Sequence, residues 1–389
     1  MPRSSDRVGP LRVGALFSET GATAYVEQTQ RNAVCLAVEE INAAGGVEGR
    51  EVELLHEDAR SDPARFGALA EHMLDDLAAS LLIGCYMSHS RQAVLPVVAR
   101  RGALLAYPAP YEGFEYSPHL IYGGAVPNQH ILMLARHLTP EPGCRFYLVG
   151  TRYTFPIESN RVMMALVAEQ KGSVVAERYV KLEAPHHELR AIVQDIKARK
   201  PDVVFCTVVG EAAGVFLGLC RDADIAAHTQ IASLTITEAE IAQMGPGAAV
   251  GHLTAATWFE TVANAESRRF VHAYRQRFGS DQHANAMAET AYGLTHMVLR
   301  AVGRGRSVAP DVVRRELAAS PYAAPQGSVR FDPDNGHFYL WPRIGRAESD
   351  GSFSLVEESP RAVKPDPYLV NHRIAEDVDD VAAEALPGE

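Results

Sequence analysis

The stretch Leu81-Leu82-Ile83-Gly84-Cys85-Tyr86-Met87-Ser88-His89-Ser90 decides the fold, because an apolar strand in it stops at a glycine and a helix starts soon afterwards. Ser88 and Ser90 are residue types that cap helices, so we expect them to cap the helix over residues 91–101. A helix start offers unpaired backbone N–H groups. In an open parallel sheet, ligands usually sit at the carboxyl ends of the strands. The stretch therefore predicts a place where a small molecule is held.

The same strand-and-helix unit repeats along the chain in two series. The first series has predicted strands at 11–17, 52–56, 81–85 and 103–107, with helices at 25–44, 63–77 and 91–101 between them. The second has strands at 146–149, 174–177, 203–207 and 231–234, with helices at 159–170, 187–199 and 211–222. Alternation of this kind predicts an α/β fold with two parallel sheets that carry helices on both faces.

Two such series are typical of a bilobed protein with a ligand cleft between its lobes. We expect lobe 1 to comprise residues 1–124 plus about 256–328, and lobe 2 to comprise residues 125–255 plus about 329–372. The hairpin pattern over 329–341 falls in lobe 2 in this division. Residues 373–389 form an acidic tail that we expect to be frayed. The loop over 108–118 is too long for a plain connection, which is typical of functional loops.

Composition excludes several classes of function. The 389 residues carry a formal net charge of -11, which disfavours a nucleic-acid surface. No apolar run approaches the roughly 20 residues of a membrane span. Residues 1–10 contain no apolar signal region, so we expect a cytoplasmic protein. Five cysteines without a CxxC spacing indicate buried, reduced thiols. The chain has no metal-ligand spacing and no glycine-rich phosphate loop, so we expect no cofactor and no metal.

Two chemical alternatives remain open. Cys85, with Glu112 and a lysine, could imitate the residue set of a carbon–nitrogen hydrolase, but no basic residue close in sequence would activate the thiol. An amino-acid ligand would need an acidic group for its ammonium, and Glu238 is the acid nearest to a strand end in lobe 2. Thr237 and Glu240 form a capping-box pattern, however, so the helix start gives Glu238 a structural reason to be there.

Hydroxyl and aromatic groups collect where the predicted strands end. Tyr86 and Ser88 follow the third strand of lobe 1, and Tyr107 and the Ala109-Pro110 turn follow the fourth. Tyr153 and Val209 follow strands of lobe 2 in the same way. None of these side chains carries a charge. Since a charged ligand would demand a buried counter-charge, they predict a small, neutral, hydrogen-bonding ligand.

Several stretches resemble the AmiC-like amide sensors that regulate aliphatic amidase operons, a branch of the type I periplasmic binding proteins. They are LFSETG (16–21), GCYMSH (84–89), YPAPYEGFEYSP (107–118), YGG (122–124), ESN (158–160), TVVG (207–210) and KPDPY (364–368). The similarity runs from about Leu11 to about His372. The resemblance implies a cytoplasmic receptor, not an enzyme, that holds a small aliphatic amide or urea-like ligand between its lobes. It also implies that the receptor sequesters an AmiR-like antiterminator protein until the ligand binds.

Carried over by position, the resemblance implies a ligand site that comprises Ser88, Tyr86, Tyr107, Ala109, Pro110, Tyr153 and Val209. Our hypothesis is that Ser88, Tyr107 and Tyr153 satisfy the polar groups of the ligand, while Tyr86, Pro110 and Val209 enclose its alkyl part. Ala109 departs from the family, whose members have threonine in that turn, so we expect a different ligand range.

The role of such a protein stays open between two further alternatives. It is either the solute-binding component of an amide, urea or branched-chain amino-acid ABC transporter, or a free-standing binding protein. The sequence is compatible with a homo-oligomer and does not decide the oligomeric state.

Overall fold

The first sheet of the computed structural model, which describes residues 9–370, is parallel throughout and has five strands. Its spatial order is β2-β1-β3-β4-β5. The strands are β1 (Leu11–Leu16), β2 (Val52–His56), β3 (Leu81–Gly84), β4 (Leu105–Tyr107) and β5 (Leu120–Tyr122). All four residues of β3 are buried, as expected for a central strand that is covered on both faces.

The second sheet has seven strands in the order β15-β14-β10-β9-β8-β6-β7. The strands are β6 (Arg145–Thr151), β7 (Ser173–Val180), β8 (Val203–Thr207), β9 (Gln230–Ser233), β10 (Leu253–Ala256), β14 (Arg343–Ala347) and β15 (Phe353–Glu358). Strands β6 to β10 pair in parallel, and the late strands β14 and β15 extend the sheet in antiparallel pairs. The two-lobed α/β fold with two parallel sheets is confirmed, with this antiparallel edge as an addition.

Helices cover both sheets, and a small antiparallel sheet of β11 (Tyr322–Ala324), β12 (Gly327–Asp332) and β13 (His337–Tyr339) follows the last of them. The helices are α1 (Ala24–Ala43), α2 (Pro63–Asp75), α3 (Ser88–Arg101), α4 (Ile131–Leu138), α5 (Thr154–Glu169), α6 (His186–Arg199), α7 (Glu211–Asp222), α8 (Glu238–Met244), α9 (Ala265–Phe278), α10 (Ala286–Gly305) and α11 (Pro310–Ala318). No helix within residues 9–370 is both long and apolar enough to span a membrane.

Each lobe has a hydrophobic core on both faces of its sheet. In lobe 1, residues of α1, α9, α10 and α11 pack on one face, and residues of α2 and α3 pack on the other. In lobe 2, residues of α6 and α7 cover one face and residues of α4 and α5 cover the other. The carboxyl ends of the central strands are left at the edges where the lobes meet.

The hairpin of β12 and β13 departs from the expected lobe division. It was expected in lobe 2, but its side chains Val329, Phe331 and Phe338 pack in the lobe 1 core with Val313 of α11. A hairpin pattern defines local pairing and carries no information about which core its apolar face joins. The other lobe limits stay predictions, and the acidic tail over 373–389 lies outside the described residues.

The start of α3 also differs from expectation. Ser88 is the first residue of the helix, and the N-cap is Met87, which has extended backbone angles and supplies no side-chain cap. Ser88 and Ser90 are therefore inside the helix and are not its caps. The consequence is that the Ser88 hydroxyl is available to another partner.

Candidate ligand site between the lobes

The end of β3 is a tight turn that only glycine allows. Gly84 has a φ of +140°, and an added Cβ would lie 2.3 Å from the carbonyl oxygen of Leu16 on β1. Cys85 follows with a φ of +67°, a left-handed conformation that costs a non-glycine residue free energy. Its N–H donates to the same Leu16 carbonyl at 2.8 Å. The turn carries the chain out of the sheet and sets Tyr86 and Ser88 beyond its edge.

Ser88 makes a buried hydrogen bond to the long loop over 108–118. Its Oγ donates to Oε2 of Glu112 at 2.5 Å. The other carboxylate oxygen of Glu112, Oε1, accepts from Nη2 of Arg91 at 2.9 Å. The side chains of Arg91 and Glu112 are 0% and 4% exposed, respectively. Because breaking a buried, paired charge is costly, this contact fixes the loop against the start of α3.

Arg91 is enclosed by a second carboxylate and by aromatic rings. Its Nε donates to Oε1 of Glu115 at 3.0 Å, and its guanidinium lies 4.9 Å and 4.6 Å from the ring centroids of Tyr107 and Tyr111. Burial alone would lower the pKa of Arg91, but Tyr107, Glu112 and Glu115 outweigh it and raise that pKa well above its ordinary value. Nε and Nη2 of Arg91 are therefore paired with carboxylates inside lobe 1, while its Nη1 is buried without a hydrogen-bond partner among the described residues.

Tyr107, Tyr86 and Ala109 are buried in lobe 1 close to the start of α3. The hydroxyl of Tyr107 donates to the backbone carbonyl of Tyr86 at 3.0 Å, so its proton is already engaged. Ala109 is buried, and its backbone lies against Gly124, where an added Cβ would come within 2.1 Å of the Ala109 carbonyl carbon. The Ala109-Pro110 turn is thus fixed by close backbone packing.

Tyr153 and Val209 stand at the corresponding edge of lobe 2. Tyr153 is the N-cap residue of α5, and its ring meets the ring of His89 edge-on, with 5.1 Å between centroids. Val209 is buried, and its N–H donates to Oγ1 of Thr151 at 3.1 Å. His89 follows Ser88 directly, so Tyr153 of lobe 2 contacts the start of α3 in lobe 1.

Direct hydrogen bonds join the lobes at one side of the cleft. The Glu211 N–H donates to the Ala22 carbonyl at 3.3 Å, and the Tyr25 hydroxyl donates to the Gly210 carbonyl at 3.3 Å. Gly210 has a φ of +68°, and an added Cβ would lie 2.5 Å from the Ala22 oxygen. The structure therefore shows the lobes closed on each other.

A small cavity of about 20 Å³ remains between the lobes. Of the seven predicted site residues, Pro110 lines this cavity and the other six do not. The lining also includes residues of α10 and side chains with imidazole and hydroxyl groups, namely His130, Thr235, Thr237, Thr257 and Thr290. Thr235 and Thr237 follow the end of β9, so they carry the same sequence signal as the predicted site residues, namely a hydroxyl group just beyond a strand end. A cavity of this size holds about one water molecule.

Two carboxyl groups near the cleft are buried, which disfavours their charged forms. Burial raises the pKa of Glu27 to about 7, although Thr23 and Ser18 donate hydrogen bonds to it. Burial also raises the pKa of Glu240, which accepts from Asn285 and from the Thr237 N–H. A capping box has two hydrogen bonds, and the one from the Thr237 N–H to the Glu240 side chain is thus confirmed.

Cys85 has the properties of a packing residue. Burial, followed by the nearby Glu27, raises its pKa well above the ordinary value, although Arg91 opposes that shift. A thiol of this kind is protonated at neutral pH and is a poor nucleophile. Within residues 9–370, the His, Cys, Asp and Glu side chains form no cluster that could hold a metal ion.

The comparisons with known proteins agree with this geometry. A family model described as a periplasmic binding protein domain matches residues 11–373. The chain belongs to the periplasmic binding protein family. Its two lobes are accordingly those of a ligand-binding protein and not of an enzyme.

Curated relatives are distant. The chain is 20% identical over 337 residues to the leucine-, isoleucine-, valine-, threonine- and alanine-binding protein of Pseudomonas aeruginosa. This alignment covers 83% of this chain and 86% of the relative. It is 27% identical over 128 residues, or 33% of this chain, to a protein named limonene hydroxylase from Geobacillus stearothermophilus. That match spans 23% of the hydroxylase's length.

Solved structures share the fold at low sequence identity. A solute binding protein of an ABC transporter from R. palustris, solved with 4-hydroxybenzoate, has a TM-score of 0.83 and 18% identity, with 93% of this chain and 100% of that chain covered. The substrate binding protein LivJ from Streptococcus pneumoniae, solved with isoleucine, has a TM-score of 0.77 and 19% identity, with 92% and 100% covered. These likenesses show the fold, and they do not identify the ligand of this chain.

Proposed function

We propose that this binding protein closes on a small, neutral molecule with an amide or urea group. The observation that carries the proposal is the state of Arg91, whose guanidinium is held by Glu112 and Glu115 at 2.9 Å and 3.0 Å inside lobe 1. The charge of Arg91 is therefore compensated by two carboxylates, although Nη1 is buried without a hydrogen-bond partner among the described residues. A ligand carboxylate would add a third negative group beside this one cation.

Calorimetry tests this proposal. Purified protein is titrated with acetamide, propionamide, urea, leucine and 4-hydroxybenzoate. The proposal expects heat of binding from at least one of the first three and weaker or no binding of the two carboxylates. Tight binding of leucine or 4-hydroxybenzoate, with no binding of the amides or urea, would overturn it.

An amino acid is the second candidate ligand, and one observation favours it. Oε2 of Glu238 is buried without a hydrogen-bond partner among the described residues, while Oε1 accepts from the Glu260 N–H at 2.7 Å. An ammonium group could occupy that oxygen. Burial and the neighbouring Glu260 raise the pKa of Glu238 well above its ordinary value, however, so the free protein favours the uncharged form there. Leucine binding that is lost in Glu238→Gln would support this candidate.

Two biological roles fit a closing binding protein, and the comparisons support the transporter role. Similar solved structures are solute-binding proteins of ABC transporters, and the relative that covers most of this chain is named for binding amino acids. The second role is a cytoplasmic amide sensor that holds an AmiR-like antiterminator until ligand binds. It is supported by the resemblance of residues 84–89 and 107–118 to such sensors.

The roles predict different partners and locations. A sensor co-purifies with an antiterminator from the same genome, releases it when propionamide is added, and fractionates with the cytoplasm. A transporter component instead stimulates the ATPase activity of a permease complex and fractionates outside the inner membrane. Genes for an antiterminator or for a permease beside this one distinguish the two roles before any protein is made.

A further inference from the structure

One ring nitrogen of His130 is buried without a hydrogen-bond partner among the described residues. His130 is the N-cap residue of α4, it is 2% exposed, and its Nδ1 accepts the Ile131 N–H at 2.7 Å. Its other nitrogen, Nε2, is the one without a partner. Burial lowers the pKa of His130 to about 3, so the ring is neutral at pH 7. Because Nδ1 accepts, the ring proton is on Nε2, which is therefore a fixed donor.

The backbone carbonyl of Ala125 does not satisfy this donor. It partly offsets the effect of burial on the pKa of His130, so it lies near the ring. It is not in hydrogen-bond geometry with Nε2, however, and it already accepts the Tyr111 N–H at 3.1 Å. A buried N–H without an acceptor is costly, and such groups in native proteins bind ordered water when no protein acceptor is available. His130 therefore requires an acceptor that the described residues do not supply.

His130 lines the cavity of about 20 Å³ between the lobes, which has room for one water-sized group. The described residues that line this cavity carry no charged side chain at pH 7, since the His130 ring is neutral. An ion in the cavity would therefore be buried without a counter-charge, which is costly. The cavity thus suits an occupant that is small, neutral and polar.

Two threonines that line the same cavity have already used their hydroxyl protons. In lobe 2, Oγ1 of Thr237 donates to Oε2 of Glu240 at 3.1 Å. On α10 in lobe 1, Oγ1 of Thr290 donates to the carbonyl of Ala286 at 3.0 Å. Each hydroxyl oxygen keeps a lone pair, so each threonine acts as an acceptor toward a further partner. The cavity thus offers its occupant one fixed donor, from His130, and two acceptors.

A water molecule matches this pattern, because it can accept one hydrogen bond and donate two. We propose that the cavity binds one ordered water molecule, which accepts from His130, donates to Thr237 and Thr290, and so joins the two lobes. The same elements are joined directly where Nδ2 of Asn285, at the start of α10, donates to Oε1 of Glu240 on α8 at 2.7 Å. The water belongs to the closed state whichever ligand the cleft takes, so it is independent of the proposed function. It favours closure, and thereby ligand binding, without touching the ligand.

A high-resolution crystal structure of the closed wild-type protein tests the site directly. We expect one peak of water density within about 3.2 Å of Nε2 of His130 and of Oγ1 of both Thr237 and Thr290. In Thr290→Val, whose side chain has nearly the same shape but no hydroxyl, no water should bridge the lobes. An empty cavity in the wild type, or a His130 ring turned so that Nε2 donates to the Ala125 carbonyl, would overturn the proposal.

Urea unfolding of the full chain tests the bridge in solution. His130→Asn keeps an acceptor for the Ile131 N–H, as asparagine is a good N-cap residue, but it removes the Nε2 donor. If one water joins His130 to Thr290, each single variant already breaks the bridge. The double variant His130→Asn/Thr290→Val should then be less destabilised than the sum of the two single variants.

Thr295→Val is the matched control for Thr290→Val. Thr295 is buried on the same helix, and its Oγ1 donates to the carbonyl of Ala291 at 2.7 Å, but it does not line the cavity. Its effect should therefore add to that of His130→Asn. Additive effects of His130→Asn and Thr290→Val, or equal coupling of His130→Asn to both threonine variants, would overturn the proposal.

Discussion

The hydroxyl of Tyr25 in lobe 1 donates a hydrogen bond to the carbonyl of Gly210 in lobe 2, at 3.3 Å. This bond exists only while the lobes are closed. A ligand that binds between the lobes shifts the population toward the closed state by its greater affinity for that state. Contacts that join the lobes directly therefore contribute to ligand affinity without touching the ligand.

Removal of the Tyr25 hydroxyl should weaken ligand binding. In Tyr25→Phe, the closed state loses one hydrogen bond worth about 1 kcal/mol, so we expect about fivefold weaker binding of propionamide in calorimetry. Tyr274→Phe is the control, because the Tyr274 hydroxyl donates to Thr29 within lobe 1. The same loss of affinity in both variants would show that the interlobe bond has no special role.

Ala109 should set the size range of the ligand. Ala109→Thr adds a hydroxyl and a methyl group in a buried turn that packs against Gly124. We expect tighter binding of acetamide and weaker binding of butyramide, by a few-fold each, because the threonine adds a hydroxyl and fills space. Ala109→Val has the same shape without the hydroxyl. Identical behaviour of the two variants would assign the effect to volume alone and contradict a role for the hydroxyl.

Cys85 should be unreactive in the folded protein. Its thiol is buried and burial raises its pKa well above the ordinary value. Iodoacetamide at pH 8, followed by peptide mass spectrometry, should modify the partly exposed Cys144 before Cys85. Cys85→Ala should keep the ability to bind propionamide. Rapid modification of Cys85 in the native protein, or hydrolysis of an amide that Cys85→Ala abolishes, would contradict this account.

Glu27 should make stability depend on pH. Its pKa is 4.5 as an ordinary value and about 7 in the folded protein, because burial disfavours its charge. Between those values the folded state binds more protons than the unfolded state. Its contribution is therefore fully present below about pH 4.5, and the free energy of unfolding falls by about 3 kcal/mol as the pH rises to about 7.

Urea unfolding at pH 5 and pH 8 measures this dependence in the wild type and in Glu27→Gln. The variant should lose the part that Glu27 contributes. Glu289, whose pKa burial also raises to about 7, is present in both proteins, so only the difference between them is interpreted. An unchanged pH dependence in Glu27→Gln would contradict the assignment.

The strand ends and both sheets could be predicted from the sequence because they depend on local patterns. The apolar run over 81–84 and the alternation of strands and helices each have one simple structural interpretation. The turn at Gly84 was found for the same reason. The lobe to which β12 and β13 attach could not be predicted, since Phe331 and Phe338 suit either core equally well as a sequence pattern.

The buried polar network of the site could not be predicted from sequence. Arg91 and Glu112 are 21 residues apart, and pairing between them depends on how the loop over 108–118 returns to α3. The sequence pattern associates Glu112 only with the residue set of a hydrolase. One sequence signal does point to such a network, namely charged side chains next to strand ends that are otherwise apolar. Charges that are buried there must pair with each other. The roles of the seven predicted site residues toward a ligand stay predictions.

A comparison of propionamide with propionate at pH 7, by calorimetry on the purified wild-type protein, tests the central claim most directly. The two molecules have nearly the same shape, but one is neutral with N–H donors and the other is an anion without donors. The account predicts that propionamide binds and that propionate binds at least about tenfold more weakly. Equal or tighter binding of propionate would contradict it.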